Sequence, residues 1–242
     1  MKEFKELELV IPSTQGDITL KQYKKYLKVY STWDKEDEDF IKVKMLQIFC
    51  NMKPEDVFKI PLAEYDKTIL HLVDLLGEEA DMQLKFTMHG KDSNGNDTEV
   101  EFGFIPKLDE MSYGEFVDLD KYYYDWQNMH KAMAVLYRPI SHKKKEFYDI
   151  DPYEGTSRYC DVMDDMPLNV ALGAIGFFLR LGQKLPLYTL DYLEKSLQKE
   201  EVPLQLKQTL EESGVGISQY ILLLKEMLQE STKLPKQMSI PA

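Results

Sequence analysis

The stretch that most constrains the fold is residues 108–140, LDEMSYGEFVDLDKYYYDWQNMHKAMAVLYRPI, where a helix start, a long apolar stripe and a proline follow one another. Ser112 and Glu115 make an S-x-x-E capping box, in which hydroxyl and carboxylate each accept from a backbone N–H that a helix start leaves orphaned. Met111 and Phe116 stand at the two positions of a hydrophobic staple. From Leu119 the apolar positions run through Tyr122, Trp126, Met129, Met133 and Leu136 at steps of three and four, which is one face of a helix. Pro139 lacks an N–H and pushes its predecessor out of the α region, so the helix must stop there. The pattern predicts one central helix with Trp126, Met129 and Met133 in the core. Arg138 is expected to hold the helix end by reaching terminal carbonyls or an acidic neighbour with its planar fork.

Around this helix the chain changes period twice. Residues 8–11 read as a short strand closed by Pro12. Thr19 and Gln22 form a second capping box before the stripe Leu20, Tyr23, Leu27, Tyr30. The acidic run at 36–39 suits the first turn of a helix carrying Ile41, Met45 and Ile48, Pro54 opens a short helix, and Leu62 to Leu76 repeats the helical spacing up to Gly77. At Met82 the period drops to two: Leu84, Phe86, Met88 and then Val100, Phe102, Phe104 flank Asn94-Gly95, the signature of a β-hairpin. Residues 141–157 read as a polar connection whose Phe147, Tyr148 and Tyr153 either cover the core or anchor a partner. Residues 168–181 form an apolar stretch too short to span a bilayer, hence a core helix, and Gly173 and Gly176 within it imply a closely packed neighbour. Amphipathic spacing continues from 190 to 228.

These readings predict an α+β chain, mainly α, with a helical bundle of about eight helices and a small antiparallel β element. The expected divisions are a helical region with one strand over 1–81, the hairpin over 82–107, a helical region built on the central helix over 108–230, and a mobile tail over 231–242.

At 242 residues and 43% hydrophobic content the chain can bury a sizeable core. A net charge of −12 argues against phosphate-driven nucleic-acid binding, and the basic run at 142–145 reads as a solvated loop. The N-terminus has no signal-peptide core, and Cys50 and Cys160 lack metal-ligand spacing, as expected of a reducing compartment or a particle assembled inside a cell. Reaction chemistry is sparse. Asp161, Asp164 and Asp165 give D-x-x-D-D, the best candidate for holding Mg²⁺, although a solvated helix end explains it as well and no second carboxylate cluster accompanies it. An EF-hand reading of Asp92, Asn94 and Asn96 fails because Asp97 and Gly103 occupy the positions of the required Gly and Glu. No catalytic residue, cofactor or metal ligand is assigned.

The segment from 104 to 140, with Gly114-Glu115-Phe116, the helix end from Lys131 to Ile140, and the later Phe177-Phe178 pair, resembles a recurring pattern in structural-module proteins of tailed bacteriophages, including the crAss-like group. The resemblance implies a non-catalytic virion or assembly protein of the head, portal-to-tail region or internal cargo, acting through protein-protein contacts. A tail assembly chaperone absent from the mature particle is the alternative, and a Mg-dependent enzyme using the three aspartates is the rival class. Implied partners are other phage structural proteins, with a homo-oligomer or ring compatible with the reading, and neither sequence-specific nucleic acid nor membrane. The implied location is the virion or the host cytoplasm. The residues implied in structure or interaction are Ser112, Glu115, Phe116, Trp126, Met129, Met133, Arg138, Phe177 and Phe178.

Overall fold

The computed structural model describes residues 9–33, 37–91, 97–145 and 147–180. The expected helices over 190–228 and the tail over 231–242 lie outside the described residues. The chain divides into two compact units, Met1–Ala174 and Ile175–Ala242. Of the second, only the helical residues 175–180 are described.

The first unit is α+β. Helices α1 (Leu20–Ser31), α2 (Glu38–Phe49), α3 (Pro54–Val57) and α4 (Leu62–Gly77) precede strands β1 (Lys85–Lys91) and β2 (Asp97–Phe104). Then come α5 (Tyr113–Tyr123), α6 (Met129–Leu136), β3 (Tyr137–Lys144), β4 (Phe147–Ile150) and α7 (Cys160–Met163). An eighth helix, α8, is described over residues 168–180 and leaves the first unit at Ala174. The strands form one antiparallel sheet in the order β1-β2-β3-β4.

Capping sets the helix starts. Thr19 and Gln22 close the expected box at α1, and the backbone around it is tied to the segment before α8: Leu20 N–H donates to Met166 O at 2.9 Å, and Leu168 N–H to Ile18 O at 2.8 Å. At the other end of α4, the buried Gln15 side chain donates to Leu75 O and Glu78 O, both at 2.8 Å, and so satisfies carbonyls that a helix end leaves open. Gly77 is the last residue of α4 and has no left-handed φ, so it is not the C′ terminator its position suggested.

Three expectations are corrected. Described residues 9–11 form no strand; Pro12 O instead meets His71 Nε2 at 2.8 Å. The central helix is broken: α5 ends at Tyr123, and Asp125 accepts from Gln127 N–H at 2.9 Å and from Asn128 Nδ2 at 2.6 Å, starting a 3-10 turn (Trp126–Asn128) that leads into α6. The side chain of Asp125 thus offers the backbone an alternative to continuing the helix. Finally, residues 137–140 do not end a helix and residues 141–144 and 147–150, within the expected connection, are strand, so the region after 108 is not wholly helical. Tyr137 is already extended, and β3 pairs with β2 over Tyr137 to Pro139 before pairing with β4 from Ile140 onward. Pro139 sits where β3 changes partner, next to the irregularity between Ile140 and His142, a place where a missing ladder N–H is tolerated.

The core is centred on α6, whose Met129, Ala132, Met133 and Leu136 are buried, together with Leu20, Leu46, Leu72, Met163 and Leu168. Tyr137 joins helix to sheet: it is fully buried, its hydroxyl donates to Gln83 O at 2.7 Å, and its ring meets Phe86 and Phe104 edge-on. The close neighbour implied by the helical glycines exists for Gly173, where a Cβ would lie 2.2 Å from the backbone oxygen of Asp81. At Gly176 the nearest atom is Arg180 of the same helix.

Two glycine substitutions should therefore move stability in opposite directions. Gly173→Ala forces backbone apart and is expected to cost about 1–3 kcal/mol. Gly77→Ala adds a methyl where nothing lies within 4 Å and should stabilise by about 0.5–1 kcal/mol. Urea unfolding of both variants checks the pair.

Candidate protein-binding face

Helix α5 is amphipathic in the inverted sense. Its start is fixed as the sequence predicts: Glu115 N–H donates to Ser112 Oγ at 3.3 Å, and Ser112 N–H to Glu115 Oε2 at 2.7 Å. The one buried residue of the helix is that glutamate. Its other carboxylate oxygen lies 2.6 Å from Arg138 Nη1, with both side chains more than nine-tenths buried. Tyr153 covers the guanidinium with its ring, 5.4 Å from Cζ to centroid, and its hydroxyl donates to Asp118 on the next turn of α5. The inward face of α5 is thus held by charge, through an arginine on β3 and a tyrosine after β4.

The satisfaction of this cluster is uneven. Burial would raise the Glu115 carboxyl, but the Ser112 side chain, the Ser112 N–H and the Arg138 charge outweigh it and hold the group below the usual glutamate range. Arg138 is less well served: its Nε is buried with no acceptor, and the Nη1 contact is close without hydrogen-bond alignment, so it acts mainly as an ion pair.

The opposite face is apolar and open. Tyr113, Phe116, Val117 and Tyr124, spaced by three, one and seven residues, share one side of the helix and its C-cap. Tyr113 is 83% exposed, Phe116 59% and Tyr124 82%. Asp120 lies within this stripe, exposed and without an ion pair among the described residues. Phe116, expected to staple inward against Met111, leaves most of its ring in solvent.

The remaining expected residues fall elsewhere. Met129 and Met133 are in the core, as read. Trp126 is only partly buried, on the 3-10 turn, where it meets Tyr23 edge-on with centroids 5.1 Å apart. Phe177 and Phe178 belong to the second unit, with rings 5.3 Å apart at 77°. The three candidate anchors separate: Tyr153 covers Arg138, Tyr148 lies over Gly103 and donates to Phe104 O at 2.9 Å, and Phe147 is 80% exposed.

A second polar cluster was not read from sequence. Lys24 Nζ donates to Asp164 Oδ1 at 2.6 Å and lies 2.7 Å from His130 Nδ1. An ammonium has no lone pair, so Nδ1 is the acceptor and His130 is neutral, with its proton on Nε2. The 3.9 Å approach of His130 to Asp164 is therefore no ion pair in this state. Burial, reinforced by the Lys24 charge and opposed by Asp164, holds the His130 pKa below its ordinary value. Asp161 and Asp165 are exposed, while Asp164 is paired with Lys24. Among the described residues no group of three or more His, Cys, Asp or Glu side chains could hold a metal ion, and no helix is long and apolar enough to cross a membrane.

Two outcomes follow from these clusters. Arg138→Met leaves the Glu115 carboxylate buried and unpaired and should cost about 3–5 kcal/mol, measured by denaturant unfolding, whereas Arg138→Met combined with Glu115→Gln should cost clearly less than the sum of the singles. Acidification should also destabilise the fold. A histidine whose folded pKa is depressed contributes stability that is complete above its unfolded value of about 6.5 and is lost as pH falls through the folded value. The parent chain is expected to lose stability as pH falls below about 6.5, and His130→Gln should flatten that fall.

No protein-family model, no curated protein and no solved structure matches this chain.

Proposed function

We propose that this chain is a non-catalytic component of a tailed-phage particle or of its assembly, working by protein-protein contact through the outer face of α5. The observation that carries the reading is the contrast between the two faces of α5: Glu115 and Asp118 turn inward, to Arg138 and to the Tyr153 hydroxyl, while Tyr113, Phe116, Val117 and Tyr124 face solvent. A helix gains nothing in an isolated fold from exposing its aromatic side, and contiguous exposed apolar surface marks interaction sites. Tyrosine and phenylalanine are also the side chains that interface centres favour. The phage assignment rests on the resemblance of residues 104–140, and the implied partners are other structural proteins of the particle, in the virion or in the host cytoplasm during assembly.

The competing enzyme reading needs Asp161, Asp164 and Asp165 free to converge on Mg²⁺. The engagement of Asp164 by Lys24 weighs against it.

Mass spectrometry of purified particles tests the proposal. A virion component is present at a fixed copy number; a tail assembly chaperone is found only in infected lysate, bound to a tail protein; absence from both complexes contradicts the reading. Phe116→Asp, at an exposed position, should leave unfolding within about 0.5 kcal/mol of the parent while removing the chain from its complex.

A further inference from the structure

We propose that His130 selects the partner of Asp164 and thereby works an acid-released latch on the start of α1: when His130 takes up a proton, Asp164 passes from Lys24 to the imidazolium, and the seam between α1 and residues 164–168 opens ahead of the rest of the first unit. The inference is independent of the α5 face.

The seam is short. Lys21 N–H donates to Asp164 O at 2.7 Å, Leu20 N–H to Met166 O at 2.9 Å and Leu168 N–H to Ile18 O at 2.8 Å, with Thr19 and Pro167 opposed in an isolated bridge. Behind it Ile18, Leu20, Met166 and Leu168 are fully buried. Asp164 closes one end twice, through its carbonyl to Lys21 and through its carboxylate to Lys24 on the next turn of α1. Among the described residues this ion pair is the one side-chain hydrogen bond that crosses the seam.

His130 stands beside that tie on a third element, α6. Its Nδ1 accepts from Lys24 Nζ at 2.7 Å and lies 3.9 Å from Asp164 Oδ1. The side chains of Lys24 and His130 are 11% and 14% exposed, so neither reaches bulk water without moving. An imidazolium carries a proton on both ring nitrogens and offers Lys24 no acceptor in either ring orientation. Two cations then face one carboxylate. The flexible stem of Lys24 can carry its ammonium out to solvent, whereas the ring is held close to α6, so Asp164 stays with the imidazolium and α1 loses its tie. The other groups around the ring leave this balance in place. Lys131, next to it on α6, adds a like charge, Asp161 of α7 adds an exposed opposite one, and the 3-10 turn contributes the uncharged Gln127 amide, which donates to Lys24 O at 3.1 Å. Burial and the Lys24 charge depress the His130 pKa, which is the sign that a latch closed by the neutral ring requires.

Hydrogen exchange of the full chain, corrected for intrinsic rates, tests the latch at the amides of Leu20, Lys21 and Leu168. The open state takes up its proton near the ordinary histidine value of about 6.5, so protection of these amides relative to residues 133–136 of α6 is expected to fall about tenfold from pH 7.5 to pH 5.5. His130→Gln keeps an uncharged acceptor and should preserve that protection at pH 5.5. Titration of the His130 imidazole followed by NMR is a second readout: Lys24→Met leaves Asp164 to the imidazolium and should raise the His130 pKa above that of the parent. Seam amides of the parent that lose no more protection than those of α6 would overturn the proposal whatever the variants do. So would a loss that persists in His130→Gln, or a His130 pKa unmoved or lowered in Lys24→Met.

Discussion

The ion pair between Glu115 and Arg138 decides which way α5 faces. Bringing two charges out of water is costly, and the attraction between them repays that cost only with good geometry and further hydrogen bonds. Glu115 has these, because the same carboxylate closes the capping box with Ser112. Arg138 has fewer, with an orphaned Nε and the face of Tyr153 as its cover. Such a pair adds little to stability over an apolar equivalent. Its value lies in specificity: only one rotation of α5 about its axis places Glu115 against β3, and that rotation turns Tyr113 and Phe116 outward.

Sheet and helix are interdependent through this pair. Arg138 lies opposite Gly103 in the β2-β3 register, and Gly103 has no room for a Cβ because Tyr148 of β4 lies 2.4 Å from where it would be. The hairpin therefore closes over β2, Tyr153 follows it to the guanidinium, and the hydroxyl of Tyr153 returns to α5 at Asp118. The route from capping box to exposed aromatic face runs through four elements, each held by a named contact. The Lys24, His130 and Asp164 cluster does comparable work between α1, α6 and the segment before α8, again with buried charge in place of apolar contact.

What was legible in the sequence is what short-range chemistry specifies. The boxes at Thr19 and Ser112, the antiparallel pairing of β1 with β2, and the core positions Met129 and Met133 follow from spacing and side-chain type, whereas Arg138, expected to hold the end of its own helix, stands on β3 and meets Glu115 of α5. The break at Asp125 leaves no mark in the apolar periodicity, because the steps from Leu119 to Leu136 stay in helical phase across the Asx turn that interrupts the helix. Pro139 suits a helix end, and the serine and basic run from 141 onward suit a loop because such residues are poor strand formers; tertiary pairing with β2 and β4 overrides both preferences. The outer face of α5 was hidden for a different reason. Its second stripe, Tyr113, Phe116, Val117 and Tyr124, is as regular as the first, and one-dimensional pattern does not say which of two stripes meets the core. The charge network that chooses between them joins residues up to 35 positions apart.

Hydrogen exchange of α5 amides in the isolated chain tests this account most directly. If the buried pair holds the helix in place, Arg138→Met should strip protection from α5 while α6, packed by Met129 and Met133, keeps its slow exchange apart from the global loss of stability. Protection of α5 unchanged relative to α6 in that variant would contradict the claim that Glu115 and Arg138 set its orientation.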